Sequence, residues 1–220
     1  MRFIIHEMPY ERPLLAGRLR YERDGVPTGA VESWRITNAV DGYRFLSVDL
    51  DAREAESGRS SLYHVTLNPA GRPEQLKFRL WGKGPDAAGS LVWNQGEIVA
   101  ARHVDGVAYQ DVAGDGAFWF PAGSGLALLS LSVGEPAGVT MSATAAEPSE
   151  LMKLVEMPVM IELGEAVLED VAGELLPVRP LQVNWKEQGR TVWIDPEGRP
   201  LRLLRDDGLP AVAERLVRYS

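Results

Sequence analysis

The side chains able to do chemistry are few and scattered. The three histidines, His6, His64 and His103, form no His-x-His or His-x3-His pair, and the chain has no cysteine. Zinc sites of the common kinds need several nitrogen or sulfur ligands converging at fixed spacing, so no metal site is expected. His103 stands beside Arg102 and two residues before Asp105, where an imidazole can pass a proton at a hairpin end. With Asp111, this is the one place where a hydrolase or isomerase centre can be drawn, and a structural role for His103 competes with it. Asp49 and Asp51 fall on one strand face, a spacing that can flank a cation or a sugar but also describes any solvated face. Gly82-Lys83-Gly84-Pro85 lacks the spacing and the hydroxyl of a phosphate loop. Pro121-Ala122-Gly123-Ser124-Gly125 has the wrong spacing for a nucleophile elbow. No catalytic residue and no cofactor are assigned.

The tryptophans are more informative: Trp34, Trp81, Trp93, Trp119, Trp185 and Trp193. Side chains two apart on a strand share a face. Trp34 shares its parity with Ile36, and Trp185 with Leu181 and Val183. Trp81 and Trp193 instead fall in step with Arg79 and Asp195. The pattern places Trp34 and Trp185 on a concave face with Leu19, Ile36, Val48, Leu76, Phe78 and Val183. Such a face is either a filled core or an aromatic-lined cavity suited to an acyl chain or glycolipid. The candidate ligand-binding set is Trp34, Ile36, Val48, Leu76, Phe78, Val183 and Trp185.

The elements that position these residues are read from the turns. Thr191–Ile194 and Leu201–Arg205 read as strands joined by Asp195-Pro196-Glu197-Gly198. There Asp bonds the amides ahead, Pro presets φ, and Gly takes the positive φ that closes the turn. Asn68-Pro69-Ala70-Gly71-Arg72-Pro73 repeats the frame, which predicts the same type I geometry at both glycines. Asp-Gly recurs at 24, 41, 105, 115 and 207 between alternating segments, a hairpin signal. The expectation is an all-β fold: a long, curved antiparallel meander forming a half-barrel or barrel-like sheet, with at most one or two short helices. Ser124–Val133 is an apolar block that periodicity assigns to neither strand nor helix. Ser149–Lys153 reads as one helical turn, Met157–Leu168 as a strand and Ala211–Tyr219 as a strand. The 220 residues form a single domain, 1–220, within which 14–121 and 150–220 are candidate repeat halves joined by 134–149.

The formal charge is −8, and Lys and Arg are dispersed singly along strands. Nucleic-acid binding needs a concentrated basic face, so it is excluded. His6 and Glu7 break the opening apolar run after three residues, too short for a signal-peptide core. No apolar run approaches the roughly 20 residues of a membrane-spanning helix. A cytoplasmic protein without a membrane span is expected.

The run Val192–Leu203 with Asp207-Gly208 resembles the C-terminal signature of bacterial families of unknown function that form half-open β-barrels. Gly29–Ile36, with Glu32 and Trp34, and Tyr63–Leu67 leading into Asn68-Pro69-Ala70-Gly71 fit the same pattern. Among those families are the glycolipid-binding family and the lipoprotein-localisation-factor-like half-barrels. The resemblance implies a strongly curved sheet wrapped around a helix or loop, with an apolar hollow for lipid. The first expectation is therefore a non-catalytic binding protein for a hydrophobic or amphipathic small molecule. The alternatives are a filled-core module acting through protein–protein contacts at a sheet edge, and the unrecognised hydrolase or isomerase.

Overall fold

The computed structural model describes residues 9–114, 117–119, 139–171, 173–196, 200–205 and 210–219. The first half of the chain forms β1 (Arg12–Arg23), β2 (Val26–Asn38), β3 (Arg44–Asp51), β4 (Arg59–Leu67), β5 (Pro73–Gly82), β6 (Ala87–Asn94), β7 (Glu97–Val104) and β8 (Val107–Gly114). The second half adds β9 (Ala117–Trp119), β10 (Val139–Glu147), β11 (Lys153–Leu163), β12 (Val167–Val171), β13 (Glu174–Trp185), β14 (Gln188–Ile194), β15 (Pro200–Leu204) and β16 (Pro210–Arg218). One 3-10 turn, Pro148–Glu150, is the sole helical element among the described residues.

All strands belong to a 16-stranded sheet ordered β8-β7-β6-β5-β4-β3-β2-β1-β16-β15-β14-β13-β11-β10-β9, with β12 set off this path on β13. Every described pair is antiparallel except β9 with β10. The sheet coils into a nearly closed barrel with one open seam, β8 at one margin and β9 and β10 at the other. Thr144 Oγ1 reaches across to donate to the Gly114 carbonyl at 3.3 Å. β1 lies at the middle of the sheet and carries three register shifts, at Pro13/Leu15 and Arg20/Glu22 against β2 and at Arg18/Leu19 against β16. Such irregularities bend a strand and increase its twist, which helps the sheet curl.

The turns follow their chemistry. Asp24-Gly25 and Asp105-Gly106 put both residues at positive φ (+52 and +76, +47 and +86), the two-residue geometry that matches strand twist. In Asn68-Pro69-Ala70-Gly71, Gly71 N donates to Asn68 O at 2.8 Å. Asn68 Oδ1 accepts from Ala70 N and Arg72 N, each at 3.0 Å. Gly71 has φ +79, as expected. Its proposed counterpart Gly198, the block 124–133, and the Asp-Gly turns at 115 and 207 lie outside the described residues.

Three stretches differ from expectation. Residues 139–147, read as part of a connection, form β10 against β11. Thr140, Ser142 and Thr144 alternate there with Val139, Met141 and Ala143, a strand period hidden by small residues. The stretch read as one strand, Met157–Leu168, is two, because the chain leaves β11 at Gly164. A Cβ at Gly164 would come within 2.6 Å of the Pro180 ring, while its amide donates to Pro180 O at 2.8 Å. The helical turn read at Ser149–Lys153 is displaced to the 3-10 turn.

The outward face carries Arg18, Arg20, Arg35, Asp49, Lys77 and Arg79. That is the reverse of the apolar outer band of a transmembrane barrel. No helix among the described residues is long and apolar enough to cross a membrane.

Gly71→Ala is expected to destabilise the protein by about 1 kcal/mol, because a Cβ is penalised in the left-handed region. The measurement is the urea midpoint; an unchanged midpoint would remove the physical basis of the turn assignment.

Candidate functional site

Partners across a ladder share a face, so inward side chains align in rows around the barrel. One row runs Gly17, Trp34, Val48, Tyr63, Phe78, Gly89 and Arg102 over β1 to β7. The next runs Leu15, Ile36, Leu46, Val65, Leu76, Leu91 and Ala100. Trp34, Val48, Leu76, Phe78, Val183 and Trp185 are buried, and Ile36 packs on them from a half-buried position. Five of the seven candidate residues thus occupy two adjoining rows. Val183 and Trp185 lie on β13, beyond the β1–β16 pairing, with Val183 opposite Arg190. A Cβ at Gly17 would overlap the Trp34 indole, so only glycine lets this ring lie against the β1 backbone. The Trp34 Nε1 is buried without a hydrogen-bond partner among the described residues. An unmet buried donor is costly and calls for an explanation.

A polar cluster interrupts this apolar wall. Glu32 is fully buried, in the row above Trp34, with Leu19 and Leu50 as its cross-strand partners. Its Oε2 accepts the Tyr21 hydroxyl at 2.8 Å. Burial pushes the Tyr21 phenol well above the usual tyrosine range, and the Glu32 charge adds to this, while Arg205 and Arg190 pull the other way. Tyr21 therefore stays protonated and acts as a donor. Burial also raises Tyr63, against the lowering effect of its hydrogen bond with Ser61. The Arg205 guanidinium carbon lies 5.8 Å from the Tyr21 ring centre, and that of Arg190 lies 5.6 Å from the Trp185 ring centre. The sequence reading missed these residues. The available signal was parity: Glu32 keeps step with Ala30, Trp34 and Ile36, and Arg190 with Val192 and Ile194, so each is a charge on an apolar face.

The other chemistry-bearing residues do not converge. His103 is exposed opposite Ala108, and Asp105 Oδ1 accepts the Asp86 amide at 2.9 Å. Asp111 faces inward instead, where Arg102 grips it with Nη2 at 2.7 Å and Nε at 3.1 Å and covers Tyr109 at 5.2 Å. Asp51 is held by Arg53 at 2.9 and 2.6 Å, the ordinary use of a surface carboxylate. No group of three His, Asp or Glu side chains suited to a metal occurs among the described residues. On the outside, a cleft of about 320 Å³ opens beneath the β12–β13 hairpin, lined by Arg20, Glu169, Asp170, Trp193, Arg202 and Val212. Arg202 stacks on Trp193 at 4.6 Å and pairs with Glu169 at 3.2 Å, which ties the hairpin to the barrel. Trp81 and Trp193 thus face outward with arginines, as parity requires.

His64 sits on the outer wall, its ring 5.7 Å from that of Phe45 and its Nδ1 3.0 Å from Ser47 Oγ. Burial lowers its pKa, Glu11 opposes this, and Lys77 and Arg35 reinforce it. The folded protein thus favours neutral imidazole. Its contribution to stability is whole above the unfolded pKa of about 6.5 and is lost as pH falls through the depressed folded value. Urea midpoints between pH 7.5 and 5.5 should fall less for His64→Gln than for the native chain; equal falls would discount His64. In the interior, Tyr21→Phe leaves the buried Glu32 without this donor. It should cost about 1 to 3 kcal/mol by urea unfolding, and no change would mean that the bond contributes nothing.

Compared with protein-family models, with curated proteins and with solved structures, the chain matches none.

Proposed function

We propose that this protein is a non-catalytic binding protein that holds a hydrophobic or amphipathic ligand, of lipid or glycolipid type, against the inward wall of its barrel. The observation that carries this reading is the wall itself. Over β2 to β5 two adjoining rows are aliphatic and aromatic, and the next row carries the buried Glu32–Tyr21 pair, so a ligand with an apolar body and a polar head meets matching surfaces. The Trp34 Nε1 left over in those rows is a donor that a ligand oxygen can satisfy. The resemblance to half-open barrels of the glycolipid-binding kind supports the same proposal. Its proposed compartment is the cytoplasm, a point for cell fractionation to check.

The second reading, an interaction module, draws on β8. At the open margin, Val107, Tyr109 and Val112 are exposed, and an edge strand with apolar side chains is a ready surface for another chain.

Native mass spectrometry of the purified protein separates the two. A non-protein mass that leaves on collisional activation supports binding. The uncharged probe N-phenyl-1-naphthylamine should then quench the fluorescence of Trp34 and Trp185, and Trp34→Phe should weaken that quenching while the circular dichroism is unchanged. A bare polypeptide mass together with no response to the probe would transfer the assignment to the interaction module.

A further inference from the structure

We infer that the outer cleft beneath the β12–β13 hairpin is a binding site for a small neutral polyol, the size of a single six-membered ring. The site is separate from the inward wall, and neither assignment rests on the other.

The cleft has a floor and a roof. Its floor is one outward row, in which Arg20 on β1 faces Val212 on β16, Val212 faces Arg202 on β15, and Arg202 faces Trp193 on β14. Its roof is the hairpin, which brings Glu169, Asp170 and Gly173 to that row together with the buried Val171 and Val178. The space between them, about 320 Å³, stands at the lower end of small-molecule sites, which begin at roughly 300 Å³. It suits a single ring, not a long chain.

Both arginines of the floor are already paired. Arg20 is held by Glu22 and by Glu214, the latter at 2.8 Å, and Arg202 Nη1 meets the two Glu169 oxygens at 3.2 and 3.5 Å. The Arg202 guanidinium also lies 4.6 Å over the Trp193 ring, which holds its plane. A ligand with a net charge would have to draw one of these groups away from its partner. A hydroxyl need not, because it accepts from a guanidinium and donates to a carboxylate at the same time. It can therefore join an Arg–Glu pair without breaking it. Two positions call for such a group among the described residues. Arg202 Nε is buried with no acceptor, and Asp170 uses only Oδ1, on the Gly173 amide at 2.8 Å. Hydrogen bonds to charged groups are the stronger kind, so several hydroxyls on one ring find good partners here. Between the charged groups, Val178, Leu201 and Val212 line the cleft and meet the C–H face of the ring. Paired charges of both signs beside aliphatic wall thus match a ring that is apolar on its face and hydroxylated at its edge.

The test is saturation-transfer NMR on the whole protein with compounds built on the same six-membered ring: myo-inositol, cyclohexanol, cyclohexanecarboxylate and the zwitterion trans-4-aminocyclohexanecarboxylate. Val212→Trp fills the cleft from its floor and should abolish inositol binding while the circular dichroism is unchanged. Whatever binding this substitution removes is binding at the cleft. There inositol should bind at least about tenfold more tightly than each of the other three, the scale of one hydrogen bond to a charged group. Glu169→Gln takes the carboxylate from Arg202, so the preference should then turn toward cyclohexanecarboxylate. Should Val212→Trp not fold, the comparison of native protein with Glu169→Gln carries the test alone. Tighter binding of the carboxylate, the zwitterion or cyclohexanol at the native cleft would overturn the inference, as would the lack of any saturable inositol signal. Inositol binding that survives Val212→Trp, or a preference unmoved by Glu169→Gln, would overturn it as well, because the polyol would then be held elsewhere.

Discussion

The pairing of β1 with β16 is the contact on which the rest depends. β1 to β8 form a meander that can extend by local hairpins alone, and β10 to β16 form another. Among the described residues, the register from Leu15–Arg218 to Tyr21–Ala211 is what makes them one sheet. It is also a pairing of maximal sequence separation, so its closure entropy is offset only when the whole wall assembles. The polar corner is a product of that union: Tyr21 comes from β1, Glu32 from β2, Arg190 from β14, and Arg205 follows β15. Without β1–β16, the acid and the arginines would belong to separate surfaces.

The two walls of the barrel do different physical work. Outward charges pair among themselves: Arg20 with Glu22 and with Glu214 at 2.8 Å, Arg18 with Glu214 at 3.1 Å, and Arg23 with Glu56 at 3.0 Å. Such exposed pairs are worth little, typically 0 to about 1 kcal/mol each. Their effect is to keep the outer face polar. Inside, a single buried apolar side chain contributes about 1.5 to 3 kcal/mol, so the inward rows dominate stability. Against that background, the buried Glu32–Tyr21 bond and the arginines beside it are a net cost that an apolar replacement would avoid. They give this corner of a largely apolar inner face a polar character.

Among the described residues, the non-glycine positions at positive φ lie in connections. Leu151 and Met152 both have positive φ, +54 and +63, a conformation that bulky side chains avoid. Met152 is nonetheless fully buried, in the turn between β10 and β11. Burial of its side chain is the gain that holds this backbone in place. The seam behaves differently: among the described residues β8 has its ladder with β7 on one side only, and both of its faces carry exposed side chains.

The amino-acid sequence by itself determined the strand content, the hairpin turns and the sorting of side chains between two faces. These are local quantities: the period of two and the φ preferences of Asn, Asp, Gly and Pro act over a few residues. Hence Trp34, Ile36, Val48, Leu76 and Phe78 were legible as one face, and Trp81 and Trp193 as the other. The small-residue strand 139–147 escaped notice because Ala, Ser and Thr carry too little hydropathy contrast to mark a face. Glu32 and Arg190 were visible as charges out of phase, yet nothing local says whether such a charge is solvated, paired or buried. Only the tertiary structure decided that, because burial depends on which distant strand closes over a side chain. The register of β1 on β16 and the curl of the sheet place an acid from the second strand beside arginines more than 150 residues later, a distance no periodicity can span.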